Sequence, residues 1–68
     1  MTRYYVNDNA QDDGYHEVHT AECYWLTLVT SKTDLGTHAT CQSAVRKAKQ
    51  IYANSDGCKH CSSLCHTR

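Results

Sequence analysis

The chain has 68 residues, with seven Lys or Arg and seven Asp or Glu, so its formal net charge is zero. That length allows one domain with a marginal hydrophobic core, because so short a chain buries only about 60% of its unfolded surface. The charge balance argues against a protein whose main work is to coat nucleic acid or an anionic membrane. The sequence contains no apolar run of membrane-spanning length and does not open on a signal peptide, so we predict a cytoplasmic location and no membrane contact.

The N-terminal part predicts two short strands joined by a loop. Residues Arg3 to Val6 are mostly strand formers, and the stretch that follows them is rich in Asn, Asp and Gly. From Tyr15 to His19 the side chains alternate, which places Glu17 and His19 on one face of a strand and Val18 on the other. These features predict a β-hairpin, with residues 1–3 loose before it.

The clearest element is a helix over about residues 40–53. Apolar side chains recur along one side of it with helical spacing, namely Cys41, Ala44, Val45, Ala48, Ile51 and Tyr52. Thr40 is the predicted N-cap, and the Asn-Ser-Asp-Gly run after the helix is predicted to end it. The predicted fold is therefore α+β, with this main helix beside a short β-hairpin or small antiparallel sheet.

The spacing of cysteine and histidine indicates a metal site. Cys58 and Cys61 form a C-x2-C knuckle, in which a tight turn directs two sulfurs at one ion. His19 and Cys23 form an H-x3-C pair, separated from the knuckle by 34 residues. The two pairs together predict a Cys3His zinc site, which would stabilise a chain whose aliphatic core is thin. The apolar run 24–26 is predicted to pack beside that metal.

The other two cysteines leave alternatives open. Cys41, on the apolar side of the helix, is predicted to be a buried thiol. Cys65 and His66 closely follow the knuckle and could replace one ligand or bind a second metal, or they could belong to a terminal tail that is loose over residues 66–68. A disulfide framework is the competing explanation, but the odd cysteine count and the reducing cytosol disfavour it.

The segment from Tyr15 to Cys23, a helix that carries Ala44, and the closing segment from Gly57 to Cys61 together resemble the Ada-type metal-binding domain of bacterial alkylation-repair methyltransferases. The resemblance extends from about Tyr5 to the knuckle. It implies a strand pair, an H/C-x3-C pair, a further strand, a helix and a closing C-x2-C.

In that family, one zinc-bound cysteine of the first ligand pair accepts a methyl group from a DNA phosphotriester. His19 stands where the repair proteins have the first cysteine of that pair, so its imidazole could take the place of the acceptor. A zinc-bound thiolate is nonetheless a good nucleophile, and Cys23 is the candidate for this reaction. Gly57 stands where the family usually has proline, and Ser62 follows the knuckle where the family has basic residues.

From the ligand pattern and the charge we predict a small, non-catalytic zinc-binding module with a structural or interaction role. We expect a monomer that could contact a protein partner. Four protein ligands would leave the metal no open position for water, which hydrolytic zinc requires. Two alternatives remain, a nucleic-acid-binding module and a zinc-thiolate alkyl acceptor that reacts at Cys23.

Overall fold

A computed structural model of the protein describes residues 1–67, which form four strands, one α-helix and two short 3-10 helices. The strands are β1 (Thr2–Asn7), β2 (His16–Thr20), β3 (Lys32–His38) and β4 (Ser55–Gly57), and the helix α1 spans Cys41–Ala48. The 3-10 helices span Tyr24–Leu28 and Ser63–Cys65. This composition confirms the predicted α+β class.

The four strands form one mixed sheet in the order β3-β1-β2-β4. β1 pairs with β2 and β3 in antiparallel fashion, and its register with β3 shifts between Tyr4 and Tyr5. β4 pairs with β2 in parallel. The sequence predicts only antiparallel pairing, because the Ser-Asp-Gly segment of β4 contains none of the residues that favour strands.

The sheet separates two clusters of buried residues. One lies between the sheet and α1 and contains Val6, Val18, Leu35 and the buried side of the helix. The other contains Cys23, Leu26 and Cys58, with Tyr5 packed against it. Because neighbouring residues of a strand point to opposite faces, we call these the helix face and the metal face of the sheet.

The helix begins as predicted but ends earlier. Thr40 has an extended backbone and its side chain accepts a hydrogen bond from the amide of Ser43, which confirms the predicted N-cap. The α-helix ends at Ala48, five residues before the predicted end. The amides of Gln50 and Ile51 bond three residues back, as in a turn, and Ile51 is half-exposed and does not join the core.

Both ends of the described chain are more ordered than the sequence predicts. Thr2 and Arg3 belong to β1, whose pairing with β3 begins at Thr2. Near the other end, the buried Asp56 carboxylate accepts hydrogen bonds from the amide and the hydroxyl of Thr67. These bonds hold residues 66 and 67, which we predicted to be loose, while residue 68 lies outside the described residues.

A disulfide joins Cys41, the first residue of α1, to Cys65 in the second 3-10 helix. This bond corrects the prediction that Cys41 is a free thiol, although its buried position on the helix face is as predicted. It also accounts for the odd cysteine count, because one pair is bonded and Cys23, Cys58 and Cys61 remain free. The two bonded residues are 24 positions apart, and no sequence pattern specifies such a pairing.

Candidate metal centre

The structure brings together the four residues that the spacing predicts as ligands. One ligand atom from each of His19, Cys23, Cys58 and Cys61 can be chosen so that all four lie within 4.8 Å of one another. The Cys23 and Cys58 sulfurs are 4.0 Å apart, and the Cys61 sulfur is 4.0 Å from His19 Nδ1. This cluster could hold a metal ion.

The parallel pairing of β2 with β4 places two of the four candidate ligands, His19 and Cys58, next to each other. Val18 is opposite Gly57 in the register, and the amide of Cys58 donates to the carbonyl of Val18. The next residue along β2 is His19, so one ligand from each pair lies where the two strands end. Cys23 follows after a turn in which its own amide bonds to the Thr20 carbonyl.

Glu17 is the residue that supports His19. It lies two positions earlier on the same face of β2, and its Oε1 is 3.7 Å from His19 Nε2. Both side chains are buried, at 12% and 3% exposure. A carboxylate at the far nitrogen of a ligating imidazole fixes the ring orientation and leaves Nδ1 for the metal. The alternating pattern places Glu17 beside His19, but this supporting role was not predicted.

Backbone amides point at two of the sulfurs. The Thr20 amide lies 3.3 Å from the Cys61 sulfur, and the His60 amide lies 3.4 Å from the Cys58 sulfur. Such N–H groups stabilise negative charge on sulfur, because hydrogen bonds to the ionised form favour that form. The turn that closes the knuckle therefore prepares it for thiolates as well as positioning its sulfurs.

The three thiols differ in acidity. Burial raises the pKa of the Cys23 thiol and raises the pKa of the Cys58 thiol to about 12. Burial also opposes ionisation of Cys61, but hydrogen bonds from the His19 side chain and the Thr20 amide outweigh it and lower the pKa of Cys61 to about 6. Of the three thiols, Cys61 is therefore the most acidic.

Aromatic side chains cover one side of the cluster, though not as the sequence predicts. Trp25 stacks on the imidazole of His60 with their ring centroids 5.1 Å apart, and Leu26 is buried against the cysteines. Tyr24, which we predicted to pack beside the metal, is 67% exposed, because a 3-10 helix turns it outward. A cleft of about 450 Å³ lies beside this cover, with Glu17 and His19 among its lining residues.

The alternative ligands are held elsewhere. Cys65 is bonded to Cys41, so it supplies no thiolate in this state of the protein. His66 Nδ1 is within hydrogen-bonding distance of the Gly57 carbonyl, and His66 lies outside the cluster. Neither of the two alternative ligands therefore belongs to the cluster in this structure. His16 is not in the cluster and stacks on the Tyr52 ring.

Comparisons with protein-family models, with curated proteins and with solved structures find no match to this chain. The resemblance to the Ada-type domain therefore stays a prediction. Within residues 1–67, no helix combines the length and the apolar character that a membrane span requires.

Proposed function

We propose that the protein is a small zinc-binding module in which the ion has a structural role. The observation that carries this proposal is the convergence of one imidazole and three thiols within 4.8 Å, from parts of the chain that are far apart in sequence. Three sulfurs and one nitrogen are a donor set typical of structural zinc sites. Thiolates are soft ligands, so the cluster disfavours magnesium and calcium, which prefer oxygen ligands.

The spacing of the donor atoms fits this ion. Tetrahedral zinc, with bonds of about 2.0–2.3 Å, holds its ligand atoms roughly 3.5–3.8 Å apart. The two 4.0 Å separations in the cluster need only a small contraction to reach that range. Four protein ligands fill the tetrahedron, which supports a non-catalytic ion.

The metal face also has a surface that suits an interaction role. Tyr24 and Leu28 are exposed on the 3-10 helix beside the cluster, and Trp25 is partly exposed. Aromatic residues contribute large contact areas in protein interfaces. Because the zinc would fix this helix through Cys23, loss of the metal would also disorder the surface.

Metal content per chain, measured by native mass spectrometry, tests the proposal. We expect one zinc per chain in the wild type and none in His19→Ala or Cys58→Ser. His60→Ala is the matched control, because this imidazole lies beside the knuckle but outside the cluster. The proposal is overturned if the wild type binds no zinc, or if His19→Ala retains it.

A zinc-thiolate alkyl acceptor is the second candidate. The observation that favours it is the partial exposure of Cys61, which lines a surface cleft, whereas Cys23 is buried. In such a reaction the sulfur would take a methyl group from a phosphotriester, forming a thioether and releasing the phosphodiester. Incubation with methylated DNA followed by mass analysis tests it, and a gain of one methyl group on Cys61, absent in Cys61→Ser, would support it.

A further inference from the structure

The disulfide encloses half of the metal site. The loop closed by Cys41 and Cys65 contains α1, β4 and the knuckle, while His19 and Cys23 lie outside it. Only three residues separate Cys61 from Cys65. Two separate links would therefore hold this part of the chain. The disulfide holds Cys65 on the helix face, and the proposed ion would hold Cys58 and Cys61 on the metal face.

The chain between these bonds is tightly packed. The Ser62 amide donates to the Cys58 carbonyl, and the Cys65 amide donates to the Ser62 carbonyl. Gly57 lies so close to Cys65 that a Cβ added to it would be 2.6 Å from the Cys65 Cβ. Cys65 therefore packs directly against Gly57, the residue before the ligand Cys58, so the position of Cys65 limits where the start of the knuckle can lie.

The disulfide can be reached from solvent. A surface cleft of about 350 Å³ is lined by Cys41 and also by Cys61. An external thiolate that enters this cleft could attack the Cys41 sulfur, although most of the cysteine is buried.

We propose that the Cys41–Cys65 disulfide is a redox-controlled latch on the metal site, so that its reduction by a small dithiol accelerates release of the ion. This proposal rests on the proposed zinc site. One thiolate of the reductant attacks Cys41, forms a mixed disulfide and expels the Cys65 thiolate, which takes up a proton. The second thiol of the reductant then displaces Cys41 as a thiol, and the reductant leaves as a cyclic disulfide.

Reduction removes the constraint on Cys65 while leaving the four ligands in place. The Cys61 end of the knuckle can then move away from His19, while the Cys58 amide stays bonded to β2 and the sheet remains folded. A lower affinity of the reduced protein for zinc should appear mostly as a faster dissociation rate. We expect zinc to dissociate about tenfold faster from the reduced protein.

The test follows zinc transfer from the loaded, oxidised protein to the coloured chelator 4-(2-pyridylazo)resorcinol. Tris(2-carboxyethyl)phosphine reduces the disulfide in this assay, since it offers no competing thiol and is itself converted to the phosphine oxide. The expected result is slow transfer before reduction, faster transfer after it, and slow transfer again after reoxidation. Equal rates before and after reduction would overturn the proposal.

Two variants separate the latch from general instability. Cys41→Ser/Cys65→Ser should release zinc quickly both with and without the phosphine. Val45→Ala weakens the helix face but keeps the disulfide, so it should release zinc slowly until it is reduced. Release from oxidised Val45→Ala at the rate of the reduced wild type would overturn the latch.

Amide NMR spectra of the reduced protein complete the test. The signals of α1 and β1 should persist after reduction, and their loss together with the zinc would show that reduction simply unfolds the domain. If the oxidised wild type contains no zinc, the proposed function fails first. If it contains zinc but releases it at one rate in both redox states, only the latch fails.

Discussion

The two faces of the sheet are stabilised in different ways. On the helix face, Val6, Val18 and Leu35 pack against α1, and the disulfide joins the start of α1 to the second 3-10 helix. On the metal face, Leu26 and two cysteines form a much smaller cluster, with Tyr5 and Val29 packed against it. Burial of apolar surface stabilises the folded state by about 25 cal/mol per Å². A cluster of this small size therefore contributes little through packing alone.

The difference indicates which face a bound metal ion would stabilise. The helix face has the aliphatic residues for a core, whereas the metal face has a buried imidazole, a buried carboxylate and three thiols. Polar groups of this kind cost free energy when buried unless they are bonded. Binding of an ion by these groups would offset that cost and would stabilise the face that lacks a core.

Metal removal is the change from which we expect the largest effect. Zinc contributes about 10–16 kcal/mol in small finger peptides, so chelation should collapse the amide dispersion of residues 19–29 and 57–62. The helix face should persist while the disulfide is intact and unfold when the chelated protein is also reduced. Amide NMR spectra of the protein with and without zinc, each in the oxidised and the reduced state, measure this. Uniform unfolding by chelation alone would contradict the independence of the two faces.

Truncation of the helix-face core should give the next largest loss. Leu35 is almost fully buried there, so Leu35→Ala should lower the free energy of unfolding by about 2–5 kcal/mol and leave the zinc content at one per chain. Leu28→Ala is the control, because Leu28 is exposed on the metal face and should lose less than about 0.5 kcal/mol. Urea unfolding measures both. Loss of zinc from Leu35→Ala would show that the faces are coupled.

The support of His19 by Glu17 predicts a moderate effect. Glu17→Gln should weaken zinc affinity by about 10–100-fold, because the amide orients the imidazole less strongly than the carboxylate. Glu22→Gln provides the comparison, since Glu22 is exposed beside the ligand Cys23 and should retain wild-type affinity. Competition with a chelator of known affinity gives both values. Equal zinc affinities in the two variants would show that Glu17 does not support His19.

The smallest expected effect concerns Asp8, which accepts hydrogen bonds from Ser31, Thr33 and Tyr52. The bonds from Thr33 and Ser31 lower the pKa of Asp8 below its usual 3.8. Because the folded-state pKa is lowered, this stabilisation is complete above the unfolded-state pKa and is lost as the pH falls through the folded-state value.

Asp8→Asn should therefore cost up to about 1 kcal/mol at pH 7. The difference from wild type should shrink below pH 4, where both proteins lose the metal equally. Urea unfolding at the two pH values measures it. A difference that grows in acid would contradict the assigned sign.

The ligands were predictable because their signal is local. An H-x3-C pair and a C-x2-C pair each fit within one turn, so spacing alone identifies His19, Cys23, Cys58 and Cys61 as candidates. The helix start was equally local, since Thr40 caps it through Ser43. The predicted hairpin corresponds to β1 and β2, and each of its bounds differs by one residue.

Features that depend on distant contacts were not predictable. β4 has no strand formers and exists because its backbone bonds to β2. Lys32 and Thr33 belong to β3 because β1 pairs with them, although polar residues of this kind are typical of a loop. The disulfide could not be predicted either, because five cysteines permit many pairings and only the fold brings Cys41 next to Cys65.

The parallel register of β2 with β4 has a consequence for how the sequence can change length. Side chains alternate between the faces of a strand, so one residue inserted between Gly57 and Cys58 would turn that thiol toward α1 and away from the imidazole. An insertion in the exposed loop from Gln11 to Gly14 moves no ligand. Variation in length among functional descendants of this chain should therefore be confined to that loop, and segment 55–61 should tolerate no insertions or deletions.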